Sequence, residues 1–143
     1  KMATDTRDVY GALATYIRTA LSGDCYVAME PEQTSPLVRA LPYIAFDGKF
    51  NEEYNFENNY EDDGDIDVNC LAVGDEAART LGISVRNLFG KAETWQAIPA
   101  IGFRFIEAAP KGFELRPEEN TDQDGQPVYR YQVTLHVRTN GAY

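Results

Sequence analysis

Gly112-Phe-Glu-Leu-Arg116, a polar stretch ending in Asp124-Gly125, and then Pro127-Val-Tyr-Arg-Tyr-Gln-Val-Thr-Leu-His-Val137 decide the fold of this chain. In the last of these, Tyr129, Tyr131, Val133, Leu135 and Val137 fall on every second position. Alternation with period two, bounded by turn residues, predicts a long β-hairpin from Lys111 to Asn140 with one buried face. The intervening residues Arg130, Gln132, Thr134, His136 and Arg138 are all polar. They suit solvent or a neighbouring subunit, so the sheet is expected to be antiparallel and wet on one side.

Upstream of the hairpin, Val9, Leu13, Tyr16, Ile17, Ala20 and Leu21 recur at helical spacing between Arg7 and Leu21. Thr4, Asp5 or Thr6 can cap the start, and Ser22-Gly23 supplies a stop. Arg7, Asp8, Thr15 and Arg18 occupy the opposite face of this first helix. Prolines at 31 and 36 punctuate the next segment, and Leu41-Pro-Tyr-Ile-Ala-Phe46 reads as a strand. Asp47-Gly48 signals a turn into a second strand through Phe50, Tyr54 and Phe56. A further strand is expected from Asp65 to Val73, where Ile66, Val68, Cys70 and Ala72 alternate with Asp65, Asp67, Asn69 and Leu71.

A second helix follows, with Ala78, Leu81, Val85, Leu88 and Phe89 on one face. Asp75 and Glu76 suit its positive end and Gly90 its C-terminal cap. Trp95 to Ile101 is apolar but broken by Pro99, and Phe103-Arg-Phe-Ile106 reads as a separate strand. The order helix, strands, helix, strands predicts an α+β domain spanning 1–143. It is a mostly antiparallel β-sheet with two amphipathic helices packed on one face and a long C-terminal β-hairpin.

Bulk properties narrow the function. At 143 residues, 43% hydrophobic with nine tyrosines and seven phenylalanines, the chain can bury one core without disulfide or metal. Its net charge of −10 opposes ordinary nucleic-acid binding, which needs Lys and Arg to displace counterions from phosphates. Cys25 and Cys70 lack the spacing of a metal or redox motif. Nothing resembles a signal peptide or is long enough to span a bilayer, so a soluble protein without membrane partners is expected.

Catalytic signals are sparse. His136 is the single histidine and sits mid-strand on the polar face, away from any serine or cysteine in a nucleophile context. No phosphate-cradling glycine loop is present. Carboxylates crowd 52–67 as Glu52, Glu53, Glu57, Glu61, Asp62, Asp63, Asp65 and Asp67, yet a calcium loop fails there because Val68 stands where glycine is required. Asn120-Thr-Asp122-Gln-Asp124-Gly125 begins such a loop but places Tyr131 at the bidentate glutamate position. No enzyme, metal or cofactor is expected.

Taken in order, the amphipathic helix at 8–18, the strand at 41–46, the acidic hairpin into Asp65-Ile-Asp-Val-Asn-Cys70, the helix from Glu76 to Phe89 and the closing strand Pro127–Val137 resemble a known family. It is that of the tail terminator and tail-completion (neck) proteins of long-tailed bacteriophages. The resemblance covers most of the chain and rests on layout and the last aromatic strand. It implies a structural virion protein with no catalytic residues, assembled in the host cytoplasm and resident in the tail or neck. Its copies would form a homo-hexameric ring at the head-proximal end of the tail tube. The implied partners are the tail tube protein and a head connector or adaptor, with DNA passing through without specific binding. Glu57, Glu61, Asp62, Asp63 and Asp65, or Glu118, Glu119, Asp122 and Asp124 in the loop of 118–124, are then candidates for lining the channel or facing a partner. The composition also fits an acidic binding module or DNA mimic on a basic protein surface, and a small hydrolase or lyase would show a deep pocket of converging titratable groups.

Overall fold

Eight elements build a five-stranded sheet backed by helices in the computed structural model, which describes residues 6–21, 26–28, 42–50, 61–121 and 124–141. Helix α1 (Thr6–Leu21) is followed by β1 (Tyr26–Ala28), β2 (Tyr43–Phe50), β3 (Glu61–Val73), α2 (Asp75–Leu88), the short α3 (Ala92–Trp95), β4 (Phe103–Thr121) and β5 (Pro127–Gly141). The strand order is β1-β2-β3-β5-β4. Among the described strands, β1 pairs with β2 in parallel and the other three pairings are antiparallel. The expected α+β architecture with its C-terminal hairpin is therefore present. Strand β1, which no residue pattern announced, extends the sheet at one edge.

Alternation fixes which side of the sheet is dry. Ile66, Val68, Cys70 and Ala72 of β3 stand level with Leu135, Val133, Tyr131 and Tyr129 of β5. All but half-buried Tyr129 are buried, in one cluster with Ile44 and Phe46 of β2 and Phe105 and Ala108 of β4. Both long helices close this cluster. Helix α1 contributes Val9, Tyr10, Leu13, Ala14 and Ile17, with Tyr10 stacked on Phe46 at 5.8 Å between ring centroids. Helix α2 contributes Ala78, Leu81 and Val85, and Phe89 at its end meets Tyr16 at 5.5 Å. Ala20, expected on the inner face of α1, is exposed, because the stripe runs through Tyr10 and Ala14 instead.

Gly82 sets how close α2 comes to β5. A Cβ there would lie 1.9 Å from the Tyr131 ring, so the helix rests directly on that aromatic. The start of α2 is tied to the same strand: Gly74, with φ 86°, donates its N–H to the Pro127 carbonyl at 3.1 Å. At the other end Phe89 is the C-cap, one residue before the expected Gly90.

Two boundary expectations are corrected. Asp47-Gly48 is not a turn: β2 runs straight through it, with Asp47 opposite Asp67 and Phe50 opposite Gly64. The ladder to a β3 that begins four residues earlier than expected carries the backbone onward. The strand expected through Tyr54 and Phe56 lies outside the described residues. Likewise, the separate strands at 103–106 and 112–116 are one 19-residue strand, β4. Register shifts between Phe105 and Glu107 and between Pro110 and Gly112 are bulges of one extra residue each, and a third shift, between Pro117 and Thr121, inserts two and so leaves the phase unchanged. Each extra residue flips the strand's phase. Phe103 and Phe105 face the core, then Ala108 and Pro110, then Phe113 and Leu115. Pro110 and Pro117 are tolerated because β4 is an edge strand.

Candidate functional site

The sheet face away from the helices gathers most of the described candidate residues, and the pairing of β3 with β5 sets its rows. Asp63 lies opposite Arg138, Asp65 opposite His136, Asp67 opposite Thr134, Asn69 opposite Gln132, Leu71 opposite Arg130 and Val73 opposite Val128. One end of this face is charged and the other is dry. Tyr43, Ala45, Leu71 and Val128 form a second buried cluster there, which corrects the expectation that the whole face is wet. Beside them Asn69 is only 2% exposed, and its Oδ1 finds no hydrogen-bond donor among the described residues.

At the charged end acid and base interleave. Lys111, the extra residue of the second β4 bulge, donates from Nζ to Asp65 Oδ2 at 2.8 Å. His136 Nδ1 lies 3.1 Å from Asp65 Oδ1, and its Nε2 lies 3.6 Å from Glu107 Oε2. Thr134 donates its hydroxyl to Asp67 Oδ1 at 2.7 Å. The Asp65 carboxyl is held below its ordinary value, first by the Lys111 hydrogen bond and then by that with His136, against a smaller opposing effect of burial. Its side chain stays 46% exposed, so water screens the pair and the energy involved is small. His136 therefore sits among carboxylates and a lysine. Among the described residues, the side chains that meet the His136 ring nitrogens are the carboxylates of Asp65 and Glu107.

Toward the hairpin turn, Arg130 Nε approaches Glu118 Oε1 to 2.6 Å with both side chains mostly covered. The angles do not make a hydrogen bond, and both atoms lack one. This is an ion pair held by proximity. Glu118 thus belongs to β4 and is neutralised, where a free acidic loop from 118 was expected. Gly125, with φ 77°, lies in the turn region before β5.

Among the other candidates, Asp63 and Asp124 are exposed. Glu61 and Asp62 occupy the first positions of β3, opposite Asn140 and Thr139, and Glu119 lies within β4. Glu57 and Asp122 lie outside the described residues. The two acidic groups are not brought together. Asp63 stands level with Arg138 and Glu118 contacts Arg130, eight positions along β5, which is roughly 26 Å of strand. No cluster of three or more metal-ligating side chains occurs among the described residues. Lys111 and Glu107 were missed as site residues because the bulges hide which face they occupy; the only sequence signal was a lysine flanked by proline and glycine.

Away from this face, an apolar groove of about 460 Å³ lies between the end of β3 and α2. Ala72, Val73, Ala77, Thr80, Leu81 and Ser84 contribute to its walls. Leu21 and Pro42 complete its described lining, which contains no titratable side chain.

No protein family matches the sequence, and no curated protein does. Among solved structures, the fold is similar to that of a chain in the virion of a native gene transfer agent (GTA) particle. The two are 12% identical with a TM-score of 0.60, over 93% of this chain and 95% of that one. At this identity the likeness establishes a shared fold along nearly the whole length of both chains.

Proposed function

We propose that this chain is a structural virion protein that forms a ring at the head-proximal end of a phage-type tail tube, ends tube polymerisation and joins the tail to the head connector. The observation that carries the proposal is the end-to-end fold likeness to a virion chain of nearly equal length. The described surface agrees with a mechanical role, since Asp65 pairs with Lys111, Glu118 with Arg130, and its groove is apolar. The role needs no catalytic residue, cofactor or metal. It needs identical subunits that meet through heterologous contacts and close by rotation.

Acidic side chains suit a passage for DNA. Attractive contacts sum over many phosphates, so a channel that must release DNA is better lined with carboxylates than with lysines. The DNA-mimic alternative asks for an unbroken array of carboxylates on one face. Here Arg130, Arg138, His136 and Lys111 interrupt the described array, which favours the ring.

The test is to mix the purified chain with its cognate tail tube protein during polymerisation and image the products. Tubes capped at one end by a ring, with tube length falling as the chain is added, are the expected result. Uncapped tubes of unchanged length, with the chain left monomeric, would refute the proposal.

A further inference from the structure

We propose that the flank of α2 beside β4 docks an acidic, aromatic-bearing protein segment, of the composition that this chain itself carries at 52–63. Arg79, Ile83 and Arg86 recur at steps of four and three residues, so they form one ridge of α2. Phe113 of β4 lies against that ridge, with the Arg86 guanidinium 4.6 Å from its ring centroid. Ile83 and Phe113 are 37% and 46% exposed, two of the four exposed large apolar side chains among the described residues. The core pins this patch from beneath. Phe113 meets the buried Tyr131 ring at 6.5 Å, and Tyr131 in turn fills the space above Gly82. A ring held between a buried ring and a guanidinium has little freedom left to lose on binding, which favours its use as an anchor.

Charge sets the chemistry of the occupant. From 77 to 92 the charged residues are Arg79, Arg86 and Lys91, all basic, in a chain of net charge −10. Neither Arg79 nor Arg86 makes an ion pair among the described residues, in contrast to Lys111 and Arg130. The nearest acids in sequence, Asp75, Glu76 and Glu93, lie beyond the ends of this stretch. Glu114, next to Phe113, stands level with Gln132 on the face away from the helices. Two guanidiniums about 10 Å apart along a helix, with no carboxylate of their own, call for carboxylates from outside. The isoleucine and the aromatic ring beside them call for an apolar side chain on the same partner.

That combination selects a protein segment over nucleic acid. Salt screens charge beyond about 8–10 Å, so the local positive flank governs a short occupant that ends where the flank ends. A polyphosphate strand would continue past it onto a surface where carboxylates outnumber cations, and be repelled there. Residues 52–63 have the composition required: six carboxylates interleaved with Tyr54, Phe56 and Tyr60, and no lysine or arginine. The site is read from α2 and β4 of a single chain, so it stands or falls apart from the ring reading.

The experiment is calorimetric titration of the full-length chain with a synthetic peptide copying residues 52–63, with circular dichroism of every variant as a check on folding. Saturable binding that weakens as salt is added is expected. Arg79→Gln and Arg86→Gln should each weaken it by about tenfold. Arg86→Lys, which keeps the charge and loses the flat stacking, should weaken it less. Phe113→Ser should also weaken it, and if that variant misfolds, the arginine variants, which lie outside the core, decide alone. No binding overturns the site, and so does binding that both arginine-to-glutamine variants leave unchanged. A peptide with its carboxylates replaced by amides that binds equally well overturns the charge argument and the site with it. Tighter binding of a short oligothymidylate than of the peptide overturns the choice of a protein segment.

Discussion

Gly82 and Gly11 are both helical glycines, yet their surroundings oppose each other. At Gly82 the missing Cβ is the space occupied by the Tyr131 ring, whereas no atom of the described residues lies within 4 Å of a Cβ at Gly11. Gly82→Ala is therefore expected to cost about 1–3 kcal/mol through overpacking, despite alanine's better helix propensity. Gly11→Ala should gain about 0.5–1 kcal/mol. Urea denaturation of the two variants checks the pair, and equal effects would remove the close approach of α2 to β5. Asp65 gives a second prediction. Its depressed carboxyl contributes stability that is present above its ordinary value of 3.8 and is lost as pH falls through the depressed one. Lys111→Met should thus lower stability near neutral pH by less than about 1 kcal/mol. That difference should close progressively below pH about 4, as measured by thermal unfolding across pH.

Strand β4 carries the most demanding structural requirement, because its two bulges must both be present for its aromatic residues to face inward. Deleting Ile106 would turn Phe103 and Phe105 from the core to the outer face. The expected loss exceeds the roughly 3–5 kcal/mol of Phe105→Ala, and hydrogen exchange along β4 and β5 would report it. The same bulges explain what was legible beforehand. Helices α1 and α2, β3 and β5 keep one period throughout, so their apolar faces could be read directly from residues such as Leu13, Val85, Ile66 and Leu135. In β4 the phase reverses twice, and one strand looked like two. Asp47-Gly48 carried a turn signature that the longer ladder of β3 overrode. Gly82 left no trace, since a glycine's use as a contact surface depends on the aromatic opposite it. Of the site, Asp65 and His136 were visible as residues on a polar face, but their meeting with Lys111 depends on the bulge.

For the molecule as a whole, the described ion pairs gather on one side: those around Asp65 and Arg130 lie on the sheet face away from the helices. Reversing charge at Glu61, Asp62 and Asp63 to lysine is expected to impair tail joining or DNA passage while leaving the fold unchanged. Particle yield and infectivity measure it, and wild-type values for both would remove these residues from the proposed channel. Edge strand β4 adds a consequence of another kind. Proline has no amide hydrogen to offer, and a bulge breaks the even spacing that a backbone template requires. With Pro110, Pro117 and two bulges along its length, this flank is poorly suited to recruiting a foreign strand into a growing fibril. Copies present in excess can therefore stay at high concentration without congealing through that edge.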